Sequence, residues 1–154
     1  APDFLFWLVY GNLGDEKARL VSLDRGLKLL ERFNCPMVLG NIPDASKAIY
    51  KMLAPSQIPT LETMAAANVR IKEWVNKRKN VIILDNASFM KNSHANEEIK
   101  LKYFTLAKGK TTKLLQSDFL HPTKRGAQAI TLALLESLCT HCKFPESDVN
   151  WQLK

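Results

Sequence analysis

Three short and almost wholly apolar runs mark out the chain: FLFWLVY (4–10), CPMVLGNIP (35–43) and VIILDNAS (81–88). A run that is apolar on both faces and too short for a helix predicts a strand buried in the middle of a sheet. Between the runs the pattern changes to helical spacing. Leu20, Leu23, Leu27 and Leu30 lie on one face from Asp15 to Phe33, and Met64, Ala67, Ile71, Trp74 and Val75 do so from Thr60 to Arg78. A last helix is expected to open at Pro122, with Ala127, Ile130, Leu134 and Leu138 along its face. Strand and helix alternating in this way predict right-handed crossovers, a parallel sheet and a three-layer α/β fold. Function is then expected at the carboxyl ends of the strands, where Asn12, Asp44, Asn86 and the 117–121 segment collect.

Residues 89–117 lack clear periodicity and predict a long loop, holding a short strand at Tyr103 to Leu106 or a helical turn. Loops of this length within a domain often carry function. The tail after Cys142 has no pattern. With 154 residues and 46% apolar content, one domain is the default expectation. No stretch approaches the ~20 apolar residues of a membrane span. No charged segment followed by an apolar one opens the chain as a signal peptide would, and a mature form without its leader would look the same. A soluble protein is expected, secreted or periplasmic forms included.

The net charge of +7 is spread over helices and loops, with no nucleic-acid motif around the bases, so a solvated basic surface is expected rather than a nucleic-acid site. The three cysteines cannot all pair within one chain. Cys139 and Cys142 form one C-x-x-C around His141, too few ligands at the end of a helix for a metal or redox motif, and Cys35 precedes a strand. Neither metal nor cofactor is expected.

The segment SDFLHPTKRG (117–126) sets Asp118 three residues before His121. A histidine serving as general base through one ring nitrogen needs the other held as a donor by a carboxylate, and Asp-x-x-His in a turn permits that contact. With Pro122 at the first helical position, His121 would fall near the N-cap, where the helix dipole favours the neutral ring. A bare D-x-x-H is more often a turn residue or cap beside a surface histidine.

The longer string SDFLHPTKRGAQAI (117–130) resembles the last block of the SGNH, or GDSL-type, esterase and lipase family. APDFLFWLVYGN resembles that family's third-strand block, and PMVLGNIPD and NVRIKEWVNKRKNVIILD follow in family order. The resemblance implies a flavodoxin-like parallel sheet spanning residues 1–142, missing its first two strands, with 143–154 as a tail. It implies a serine ester hydrolase in which His121 is the base, Asp118 its orienting acid and Asn12 an oxyanion donor, with Gly11 and Asp44 at the substrate. Asn41 competes weakly with Asn12.

The family's Gly-Asp-Ser block is absent, and Gly14-Asp15 leads to Glu16. The nucleophile and the missing strands are therefore expected from an N-terminal segment or a second chain, the present residues alone being inactive; a lone FLFWLVY strand would leave an exposed apolar edge. Ser46 and Ser88 fall beyond strands, Ser22 and Ser137 lie within helices and Ser117 adjoins the acid, none in the strained elbow a nucleophile occupies. The substrate would be an acyl ester, whether a lipid, an acylated carbohydrate or a thioester. A catalytically silent α/β binding domain is the alternative.

Overall fold

The computed structural model describes residues 3–11, 14–142 and 144–153. The chain divides into two compact units, Ala1–Ala87 and Ser88–Lys154. No helix among the described residues is long and apolar enough to cross a membrane.

The first unit opens on a helix. FLFWLVY forms α1 (Phe4–Tyr10), not a strand, and buries Leu5, Phe6, Val9 and Tyr10. Those positions are i, i+1, i+4 and i+5, the stripe of a helix face, and Phe6 stacks on Tyr10 one turn later at 4.2 Å. A run without polar positions gives periodicity nothing to distinguish, and packing against α2 (Glu16–Leu30) decides the outcome. The approach is close, since a Cβ on Gly26 would stand 2.1 Å from Leu8 Cδ1. The side chain of Asp15 caps α2, accepting from the N–H groups of Lys17 and Ala18.

Strand β1 (Met37–Gly40) pairs in parallel with β2 (Val81–Leu84), Met37 opposite Val81 and Gly40 opposite Leu84. The crossover between them carries two 3-10 turns, Ser46–Ala48 and Pro55–Gln57, and then α3 (Leu61–Asn76), capped by Thr60. Arg70 to Asp24 (2.5 Å) and Arg78 to Glu31 (2.6 Å) join α3 and the residues after it to α2 at the surface.

The core of this unit is tied by two buried polar side chains. Arg19, 1% exposed, donates to the carbonyls of Val9 (2.6 Å), Gln57 (2.9 Å), Ser56 (2.6 Å) and Gly11 (3.3 Å), and its Nε meets Glu16. Tyr10 donates to Pro43 O and accepts from Ala45 N–H, while burial drives its phenol well above its ordinary range.

Helix α4 (Asn86–Ala95) runs from the last residues of the first unit into the second. Strands β3 (Ile99–Lys100) and β4 (Thr105–Leu106) form a separate antiparallel pair, and α5 (Lys124–Cys142) completes the regular structure. Ile99, Leu106, Leu114 and Ala129 are the core, with Phe89, Phe104 and Leu153 packed on it. The segment expected to be a long loop is thus partly regular, with the end of α4 and both strands inside it. The tail is also structured: Trp151 packs on Tyr103 at 4.6 Å and donates to Glu146 O.

The expected single flavodoxin-like sheet is therefore corrected. The protein is a small mixed α/β fold with two separate short sheets, one parallel and one antiparallel. With 4–10 helical, the argument from an exposed apolar edge, and from two missing strands beside it, also lapses.

Candidate functional site

Residues 114–123 form a narrow antiparallel ribbon in the second unit. Thr123 N–H donates to Leu114 O (2.8 Å), Gln116 N–H to His121 O (2.8 Å) and Phe119 N–H to Gln116 O (3.0 Å), with Leu115 bridged to Pro122. Asp118 and His121 stand at its tip. In the chain the tip follows β4 and precedes α5 rather than directly following a strand of the parallel pair.

Asp118 divides its oxygens. Oδ1 accepts from the N–H groups of Leu120 and His121, each at 2.9 Å, and closes the turn; Oδ2 lies 2.8 Å from Nδ1 of His121. Burial alone pushes this carboxyl up, but the hydrogen bonds from Leu120 N–H, the His121 ring and His121 N–H, with the charge of His121, hold it below its ordinary value. An ionised carboxylate only accepts, so Nδ1 carries the hydrogen and the neutral ring keeps its lone pair on Nε2. That atom is bonded to none of the described residues, and the side chain is 46% exposed.

Phe119, between the two, has φ 61°. The left-handed region costs a non-glycine residue roughly 1–2 kcal/mol, so the turn is held by its contacts rather than by local preference. One of them is His94 of α4, whose Nε2 lies 3.0 Å from Phe119 O. The ribbon is anchored at its base by Thr123, which caps α5: its hydroxyl accepts from Gly126 N–H (3.1 Å) and donates to Lys113 O (2.7 Å). The helix thus starts later than expected. Thr123, a stronger cap than histidine, takes that position and leaves His121 two residues outside, where the dipole argument does not reach.

The other expected site residues belong to the first unit or lie beyond description. Asn12 lies outside the described residues. Gly11 closes α1, donating its N–H to Trp7 O and accepting from Arg19, and Asp44 is an exposed turn residue accepting from Ser46 N–H. Asn41 uses its amide on Asp85 Oδ1 (2.7 Å) and Ala87 N–H (2.8 Å). Among the described residues no serine hydroxyl bonds to His121 Nε2 and no cluster of three or more His, Cys, Asp or Glu could hold a metal. His94 and Arg19 were not singled out in the sequence, the first because its contact is 25 residues away, the second because it reads as one more surface base on a helix.

No protein-family model, no curated protein and no solved structure matches this chain.

Proposed function

We propose that the ribbon tip supplies the base and orienting acid of a serine ester hydrolase. The observation that carries this reading is the 2.8 Å contact of Asp118 Oδ2 with His121 Nδ1 beside an Nε2 that none of the described residues engages. His121 takes the proton of a serine as it attacks the ester carbonyl and returns it to the leaving alcohol; Asp118 holds the ring in that tautomer and stabilises the imidazolium. The resemblance of residues 117–130 to the last block of SGNH esterases supports the same roles, without that family's sheet. The serine is contributed from outside the ribbon, by an N-terminal segment or a second chain. The substrate is an acyl ester.

Labelling of the full-length polypeptide by a fluorophosphonate tests this. The label is expected on a serine outside residues 1–154 and lost in His121→Ala. Unchanged labelling and ester turnover in that variant would remove His121 from the mechanism.

A further inference from the structure

The peptide plane joining Phe119 to Leu120 is held at both ends. Its N–H donates to Asp118 Oδ1 at 2.9 Å, and its carbonyl oxygen lies 3.0 Å from Nε2 of His94. A carbonyl only accepts, so Nε2 of His94 must carry a hydrogen and donate it. The rings of His94 and Phe119 also meet edge to face, centroids 6.1 Å apart. Phe119 sits at a positive φ that its side chain does not favour, so the turn carrying this peptide is held by its contacts rather than by local preference.

We propose that His94 is a positioning residue for the Asp118–His121 pair, clamping the carbonyl end of the Phe119–Leu120 peptide so that its N–H end stays on Asp118. The chain of contacts is continuous: His94 to the peptide, the peptide to Asp118, Asp118 to the imidazole of His121. Rotation of the plane would take one donor from Oδ1, and the carboxylate that orients His121 would lose part of its support. The effect on turnover rests on the hydrolase reading; the effect on the carboxylate does not.

Two variants in the full chain separate donation from packing. His94→Phe keeps an aromatic ring and removes the donor; His94→Gln offers an amide N–H and removes the ring. NMR would follow the titration of the Asp118 carboxyl carbon and the Nδ1–H resonance of His121. In His94→Phe the Asp118 midpoint should rise and the Nδ1–H signal weaken through exchange, and His94→Gln should restore both. An unchanged midpoint and signal in His94→Phe, or equal disturbance in both variants, would overturn the proposal. Ester turnover should fall roughly tenfold or more in kcat with KM little changed in His94→Phe, and recover in His94→Gln. If the NMR response is as expected while the wild-type protein neither labels nor turns over esters, positioning stands and the hydrolase reading fails.

Discussion

Asp118 performs two tasks that one substitution can separate. In Asp118→Asn the side-chain carbonyl can still accept from Leu120 and His121 N–H, while the amide nitrogen facing His121 cannot accept from Nδ1–H. The fold should persist, by circular dichroism, and on the proposed hydrolase reading ester hydrolysis should fall by roughly 10³-fold or more, because the ring is released to the wrong tautomer. The pH dependence of the turn follows from the direction of the Asp118 shift. Its folded value is lowered, so the unfolded chain binds the proton more readily; the contribution is complete above the ordinary aspartate value of about 3.9 and is lost as pH falls through the lower folded value. The amide shifts of Leu120 and His121 should therefore move with a midpoint below that of an ordinary aspartate. Arg19 gives a contrasting residue-scale test. Arg19→Met leaves the buried carbonyl of Val9 and the partly buried one of Gln57 without their donor and should destabilise the protein by about 3 kcal/mol or more in denaturant unfolding.

At the scale of elements, amphipathic periodicity was readable where polar residues broke it. Helices α2, α3 and α5 and the short strands β1 and β2 fall within the stretches expected of them. Helix α1 was hidden by an unbroken apolar run, and α4 by the opposite fault, since only Met90 and Ser93 of its ten residues are buried. The Asp-x-x-His pair was legible because its geometry is local to one turn; the His94 contact depends on how a distant helix packs. Two glycines show how closely elements approach. A Cβ on Gly126 would stand 1.9 Å from Leu114 O, a backbone atom that can move only if the ribbon moves, whereas at Gly26 the obstacle is the end of the Leu8 side chain. Gly126→Ala should cost about 1–3 kcal/mol and disturb the His121 resonances. Gly26→Ala should cost less, its helix-propensity gain of about 1 kcal/mol offsetting part of the repacking. Thermal unfolding of the two variants compares them directly.

For the molecule as a whole, the sheet was the part that sequence pattern could not supply. Apolar runs show that strands or helices are buried, but not which run pairs with which; here 4–10 left the sheet altogether and 99–106 made a sheet of its own. The tail was equally opaque, because Trp151 and Leu153 have no periodic company and gain their place from Tyr103, Glu146 and the core that includes Leu106. Ending the chain at Cys142 should lower the melting temperature by several degrees, measured by calorimetry, and broaden signals from Ile99 and Leu106.

The single hydroxyl of Thr123 serves both the first turn of α5 and the base of the ribbon that carries Asp118 and His121. Helix ends fray before helices melt, so on heating the Asp118–His121 pair should loosen with that first turn. On the proposed hydrolase reading, loss of activity would then precede loss of ellipticity, and Thr123→Ala should widen the interval between the two temperatures.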